Sequence, residues 1–392
     1  MRTVLENGTV TLFLEGRIDI NNAPQTESEI FGALEGAPER VVIDAEKLEY
    51  ISSAGLRVLM KLCKKLGSPV TMLNVSRDVY EILETTGFTE LLDVQKALRE
   101  ISVEGCEIIG RGGNGIVYRL DEDKIVKLYF NQGPELVKQE QQFARTALIN
   151  DIPTVIPYDT VRCGDKYGVV FELLRSDTLG HIISREPQRL DELTDQYVAL
   201  ARSLHSTHIK DGAVPDARDL MRGRAARLDR WCSQEEIDAL LGIIGKIPAC
   251  DTVIHGDLHP GNIMMQDGEL LLIDLAEVTL GPKVFDLASI YRDMIVGARV
   301  NTELSQQSVG MPVDMIEKTG QLFFVKYTGI TDPEELKAYF DKLGLIFAFN
   351  TVLLCGAGVR DAEARAQGIM DNLLRKVVLP NKDAIPYLFS VM

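Results

Sequence analysis

Apolar and polar positions divide the chain into two patterns. Residues 9–14 (TVTLFL) and 41–44 (VVID) have the β-branched content of short strands, and 69–75 (PVTMLNV) reads as a third. Between and after them the period becomes helical. In 56–66 (LRVLMKLCKKL), Leu56, Leu59, Met60 and Cys63 fall at i, i+3, i+4 and i+7 on one helix face, and 78–86 (DVYEILETT) forms a second helix that stops at Gly87. Strands alternating with helices predict a small α/β domain over residues 1–97.

Near residue 97 the pattern restarts. A strand-like CEII leads into the glycine cluster GRGGNG, then IVYRL, a charged turn at Asp121 to Asp123, and KIVKLYF, which together predict a hairpin. The intervening ALREISVE lacks the Gly, Pro or Ser of a flexible tether, so the two parts are expected to be closely coupled. Beyond residue 175 the periodicity is mostly helical, at 191–205, 234–245, 313–328 and 333–355. Residues 98–392 therefore read as an α+β domain of two lobes, strand-rich over 98–174 and helical over 175–392. The longest apolar run, LGLIFAFNTVLL at 343–354, is shorter than the ~20 residues of a membrane-spanning helix and is expected to be a buried one.

Charge narrows the partners. Lys and Arg total 42 against 58 Asp and Glu, a net charge of −16, which opposes nucleic acid and anionic membrane as partners. The six cysteines contain no C-x-x-C pair, and MRTVLENGTV lacks the apolar core of a secretion signal, so a reduced, cytoplasmic protein is expected. None of the histidines has metal-site spacing. His255 and His259 fall in the loop discussed next, and His205 and His208 are read as closing a core helix.

The candidate chemistry concerns phosphate. Gly110, Gly112, Gly115 and Val117 fit G-x-G-x-x-G-x-V, where the absence of Cβ lets backbone lie against nucleotide phosphates. A dinucleotide-binding reading needs a helix directly after the loop, and the sequence has a hairpin there instead. Lys127, on the following strand, suits the α- and β-phosphates. Glu140, on the next helix in the stripe of Leu136, Phe143 and Ala147, is the expected partner of Lys127, with Glu135 as the alternative. The strongest pattern is His255-Gly256-Asp257-Leu258-His259-Pro260-Gly261-Asn262, followed by Leu271-Leu272-Ile273-Asp274. Phosphoryl transfer needs a carboxylate to orient the acceptor and hard oxygen ligands for Mg²⁺, and this pattern contains both.

These residues resemble the aminoglycoside phosphotransferase and choline kinase family over about residues 105–370. The resemblance implies a two-lobed, protein-kinase-like phosphotransferase fold that uses ATP and Mg²⁺. It implies Asp257 as catalytic base, Asn262 and Asp274 as metal ligands, and Lys127 as the phosphate-binding lysine. It also implies Glu172 and Leu174 (in FELL) at the adenine edge, His255 orienting the catalytic loop, and Asp286 bracing it. Only twelve residues separate Asp274 from Asp286 and no A-P-E follows, so the long peptide-docking segment of protein kinases has no room and a small hydroxylated or aminated acceptor is favoured. Asp293, Asp314 and Glu317 would suit a cationic one.

In the N-terminal part, Gly16-Arg17-Ile18-Asp19, Val41-Val42-Ile43-Asp44 and Tyr50-Ile51-Ser52-Ser53-Ala54-Gly55-Leu56 resemble the STAS domain of bacterial anti-sigma factor antagonists. That resemblance implies Ser53 as a regulatory phosphorylation site, with Ser52 as the alternative, and an anti-sigma factor or other signalling protein as partner. Three readings of the whole chain follow: a small-molecule kinase carrying a STAS regulatory domain, a signalling kinase acting on a protein serine such as Ser53, and a non-enzymatic nucleotide-sensing scaffold.

Overall fold

The computed structural model describes residues 1–6, 8–35, 38–210, 212–357 and 360–392, with side chains omitted at 360–363. It contains two compact units, Met1–Ser102 and Val103–Met392.

In the N-terminal unit, β1 (Arg2–Glu6), β2 (Thr9–Ile18), β3 (Arg40–Ile51), β4 (Val70–Val75) and β5 (Leu92–Lys96) form one sheet in that order. β1 is antiparallel to β2 and the other neighbours are parallel, the arrangement that needs helical crossovers. The crossovers are α1 (Ala23–Ala33), α2 (Ser53–Leu66) and α3 (Arg77–Thr85). Leu12 pairs with Ile43 and Ile43 with Met72, so one pleat row places three fully buried side chains in the core. The buried stripe of α2 is Gly55, Val58, Leu59 and Leu62, with Leu56. Met60 and Cys63, expected on that stripe, are only half-buried. Gly55 sets this rotation, since a Cβ there would lie 2.7 Å from Ile51 Cγ1 and 2.8 Å from Ile18 Cγ2. Helix and sheet can approach this closely only at a glycine.

The C-terminal unit begins with β6 (Ile108–Arg111), β7 (Gly115–Arg119), β8 (Lys124–Tyr129), β9 (Pro157–Cys163) and β10 (Lys166–Glu172). These strands are antiparallel in the spatial order β9-β10-β8-β7-β6. α4 (Pro134–Ile149) connects β8 to β9, burying Val137, Glu140, Phe143, Ala144 and Ala147. Leu136, expected on this stripe, is instead exposed.

The helical part contains α5 (Leu179–Arg185), α6 (Leu190–Ser206), α7 (Ala217–Ala225) and α8 (Gln234–Ile244). Four short strands follow: β11 (Val253–Ile254), paired with β14 (Thr279–Leu280), and the hairpin β12 (Ile263–Gln266) with β13 (Glu269–Leu272). α9 (Val284–Tyr291) then passes through a π-helical turn, Arg292–Val296, into α10 (Gly297–Val300), α11 (Thr302–Val309), α12 (Val313–Thr328) and α13 (Pro333–Leu354). Together with its last turn, Pro333–Ala357 is long and apolar enough to cross a membrane, a length that the shorter apolar run in the sequence did not suggest. Its Leu343, Ile346, Phe349 and Val352 are fully buried in the core of this unit. All six cysteines are free thiols.

Candidate active site

The candidate site is assembled from several segments of the C-terminal unit. The first is the loop between β11 and β12. Gly256 has φ +85°, and a Cβ on it would meet the Cβ and backbone oxygen of Glu277, each at 2.8 Å. The loop can make this turn only without a side chain at 256. Gly256→Ala is therefore expected to destabilise the C-terminal unit by about 1–3 kcal/mol, read as a lower unfolding midpoint in Trp231 fluorescence.

Asp286 fixes the same loop from α9. Its carboxylate, fully buried, accepts the N–H groups of His255 (2.8 Å) and Gly256 (2.7 Å) and the Nε2–H of His205 (3.0 Å). His205 is itself positioned by the Tyr327 hydroxyl, 2.8 Å from Nδ1. His205 thus supports the loop through Asp286, a role beyond closing a core helix. His208 lies past the end of α6, exposed and paired with Asp251 at 2.9 Å, so it is not a core residue. His255 donates through Nε2 to the Ile273 carbonyl (3.1 Å) and accepts the Asp257 N–H at Nδ1 (3.3 Å), which fixes the orientation of its ring.

Asp257 is at the centre of a dense polar group. Asn262 Nδ2 donates to the Asp257 carbonyl (2.9 Å) and to Oδ2 (3.1 Å). Arg292 Nη2 donates to Oδ1 at 2.5 Å, and His259 Nε2 lies 3.5 Å from Oδ2. Burial alone would raise the Asp257 pKa, but the His259 hydrogen bond and charge, helped by Arg292, hold it far below the usual carboxylate range. Burial likewise pulls the His259 pKa down, and Asp257 more than restores it to above the ordinary histidine value. The ligand atoms of Asp257, His259 and Asp293 lie within 4.8 Å of one another, the spacing of a metal-binding group. The cation between the two carboxylates is the Arg292 guanidinium.

The second cluster adjoins the first through the backbone, because Ile273 N–H donates to the Asn262 carbonyl at 3.0 Å. Asp274 follows at once, in the left-handed region with φ +62°. Lys127 Nζ, on β8, lies 2.8 Å from Asp274 Oδ1 and 3.2 Å from Glu140 Oε1. Burial works against the ammonium, yet Glu140 and Asp274 outweigh it and keep the lysine pKa raised, so the lysine is charged. Glu135 is exposed and pairs with Lys138 at 3.7 Å, so Glu140 is the partner of Lys127. Tyr129, two residues along β8 on the same face, donates its buried hydroxyl to Glu140 Oε2. The sequence reading missed Tyr129, although the period of two that places Lys127 on this face also places Tyr129 there.

Gly110 and Val117 are cross-strand partners in the β6–β7 hairpin. Gly112 N–H donates to the Gly115 carbonyl (3.0 Å), and Cβ atoms at Gly112 and Gly113 would meet nothing within 4 Å. No hydrogen bond links this loop to the charged cluster among the described residues. At the end of β10, the backbone N–H groups of Glu172 and Leu173 donate to Ile156 (3.1 Å) and Asp123 (2.8 Å). Leu174 N–H has no such bond among the described residues.

The donor set suits a hard cation. With Asn262 Nδ2 committed to Asp257, Asn262 Oδ1 receives no hydrogen bond among the described residues, and Asp274 engages Lys127 through only one of its two oxygens. Amide and carboxylate oxygens of this kind match Mg²⁺.

In the N-terminal unit, Ser52 Oγ accepts the N–H groups of Ala54 (3.2 Å) and Gly55 (3.5 Å) and so caps α2. Ser53, the first residue of α2, is exposed. The structure gives the two adjacent serines different environments.

Comparison with known proteins agrees with both units. A phosphotransferase enzyme family model matches residues 106–312 and a STAS domain model matches residues 1–101. Over 91 residues, 22% of this chain, the sequence is 33% identical to BtrV of Bordetella bronchiseptica, whose name places it among anti-sigma factor antagonists; the match covers 78% of that protein. It is 29% identical over 96 residues to the methylthioribose kinase of Geobacillus kaustophilus, a match spanning 24% of each protein. The chain thus spans about a quarter of the length of that kinase. Among solved structures, ADP-bound aminoglycoside phosphotransferase APH(2'')-Ib aligns with a TM-score of 0.46 at 14% identity, over 69% of this chain and 92% of that one. A choline/ethanolamine kinase family protein from Mesorhizobium loti aligns with a TM-score of 0.43 at 12% identity, over 73% and 92%. With the first model covering more than half of its length, the chain belongs to the phosphotransferase enzyme family and carries a STAS domain at its N-terminus.

Proposed function

We propose that the C-terminal unit is an ATP- and Mg²⁺-dependent kinase of a small hydroxylated or aminated acceptor. The observation that carries this reading is that the ion-paired group Glu140–Lys127–Asp274 adjoins the Asn262–Asp257 pair through the Ile273 N–H bond to the Asn262 carbonyl. Mg-ATP, when bound, supplies the electrophilic γ-phosphorus and ADP as the leaving group. Lys127, oriented by Glu140, would hold the α- and β-phosphates, with the loop of Gly110, Gly112, Gly115 and Val117 as their cover. The backbone of Glu172 and Leu174 would meet the adenine edge. Asn262 Oδ1 and Asp274 would hold the Mg²⁺. Asp257 takes the acceptor hydroxyl proton as the new O–P bond forms and the bond to the β–γ bridging oxygen breaks. Between Asp274 and Asp286 the chain forms one 3₁₀ turn, Leu275–Glu277, and the two-residue strand β14, which supports a small acceptor over a docked peptide.

The test is incubation of the full chain, wild type and Asp257→Asn, with γ-labelled Mg-ATP and a pooled metabolite extract, followed by separate analysis of small molecules and protein. Label in a small molecule that vanishes with Asp257→Asn supports the reading. Absence of nucleotide turnover across a broad acceptor panel overturns it.

The environment of Ser53 favours a second reading, in which this serine is a phosphorylation switch for an anti-sigma factor or similar partner of the STAS domain. Ser52 already caps α2, so the exposed Ser53 hydroxyl is available, and a phosphate there adds about −1.5 to −2 charges at the positive end of the α2 dipole. Under labelled Mg-ATP, Ser52→Ala is expected to keep protein-bound label while losing about 1 kcal/mol of helix cap, and Ser53→Ala is expected to lose the label. Full retention of label by Ser53→Ala would rule out this site.

A further inference from the structure

We infer that the acceptor is a hydroxylated anion, carrying a carboxylate or a phosphate near the hydroxyl that is phosphorylated, and that Arg292 is the residue that reads it. This rests on the phosphotransferase reading of the same site.

The first support is the fate of the acidic residues. In sequence, Asp293, Asp314 and Glu317 suggest a cationic acceptor. In the structure, Asp293 is held bidentately by Arg292, Nε to Oδ1 at 2.8 Å and Nη2 to Oδ2 at 2.7 Å. Glu317 is paired with Arg299, and Asp314 is exposed in the first turn of α12. Asp257 has both Arg292 and His259 beside it. Asp257, Asp293 and Glu317 each already face a guanidinium, so an incoming ammonium at the proposed base would meet Arg292 instead of an unpaired acid.

The second support is the geometry of Arg292. Asp293 occupies the Nε–Nη2 side of its fork and holds the head in place. Nη2 also reaches Asp257 Oδ1, and Nη1 makes no hydrogen bond among the described residues. The Nη1–Nη2 edge, the one that binds carboxylate or phosphate bidentately, is therefore the edge beside the proposed base. An anion on that edge takes over the bond that Nη2 now makes to Asp257. Oδ1 is then free to accept the proton of a hydroxyl carried by the same molecule. A neutral or cationic acceptor has no group with which to displace Asp257 from the guanidinium.

The third support is how Arg292 is held. It is the first residue of the π-helical turn, where Gly297 N–H donates to the Arg292 carbonyl, the i→i+5 bond of that turn. A Cβ at Gly297 would stand 2.6 Å from Ser305 Oγ and 3.0 Å from the same carbonyl. Six residues earlier the helix is clamped to the catalytic loop by Asp286. The side chain remains 32% exposed, so a solute can reach it.

The experiment uses the full chain with Mg-ATP. ADP release is measured with four acceptor classes: hydroxy acids, sugar monophosphates, neutral polyols and amino alcohols including aminoglycosides. Binding of a fluorescent ATP analogue is measured alongside. Wild type is expected to turn over hydroxy acids or sugar monophosphates at least tenfold more efficiently than the other two classes; which of the two is preferred identifies the anion as carboxylate or phosphate. Arg292→Gln is expected to raise KM for the anionic acceptor by about 10²-fold or more with the analogue bound normally, and Arg292→Lys, which keeps the charge and loses the fork, is expected to fall between. Preference for amino alcohols or neutral polyols, turnover of no class despite nucleotide binding, or an equal loss of kcat in both variants with KM unchanged would each overturn the proposal. Failure to bind the nucleotide analogue at all would instead overturn the kinase reading on which it rests.

Discussion

Asp257→Asn is expected to lower phosphoryl transfer by about 10²–10⁴-fold, the usual contribution of a positioned general base, while nucleotide binding changes little. The substitution keeps the side chain's shape and a carbonyl oxygen for the Asn262 amide, 3.1 Å away in the wild type. It removes the charge that holds Arg292 and His259, and an amide cannot take up the acceptor's proton. Binding should persist because Lys127, Glu140 and Asp274 form a separate ion-paired group whose contacts do not include Asp257. Initial rates of ADP formation at saturating acceptor, set against fluorescent-nucleotide binding, check both halves. Residual activity within tenfold of wild type would show that proton removal by Asp257 is not part of the rate-limiting chemistry.

Asp286→Ala is expected to destabilise the C-terminal unit by about 3–5 kcal/mol and to abolish turnover, even though Asp286 is not proposed to touch substrate. Its buried carboxylate is the common acceptor for His255 N–H, Gly256 N–H and His205 Nε2–H. Truncation leaves these donors buried without a partner, at about 1–3 kcal/mol each, and releases the turn that aims Asp257. Asp286→Asn keeps one acceptor oxygen and should lose less. The single tryptophan, Trp231, packs against the core of the C-terminal unit, so its fluorescence in urea follows that unit alone. An unchanged midpoint in Asp286→Ala would mean that the loop has another anchor.

Much of this was legible in the chain because the relevant interactions are local. The loop from His255 to Asn262 and the hairpin β12–β13 that leads to Asp274 occupy about twenty consecutive residues, so motif spacing transmits the geometry directly. The Lys127–Glu140 pair spans one strand and the helix after it, within reach of a periodicity argument. The long amphipathic helices α6, α8, α12 and α13 were readable for the same reason. β1 was not, because an edge strand with an exposed RTVLE pattern has no alternation to detect. Nor was α7, whose ARDLMRGRA is largely polar. The stripe of α2 was misplaced because it depends on Gly55 approaching Ile18 and Ile51, a contact with two strands that the helix's own sequence does not contain.

The sequence by itself determined the two-part organisation, the kinase-like order of loop, lysine, catalytic segment and aspartate, and the net acidity of the chain. Tertiary structure decided which of the acids remain available. Arg292 reaches Asp257 across 35 residues and His205 reaches Asp286 across 81, through a π-helical turn and the packing of separate helices. A sequence records each charge, but the effect of a charge on a ligand depends on the distance to its nearest opposite, which only the folded chain sets.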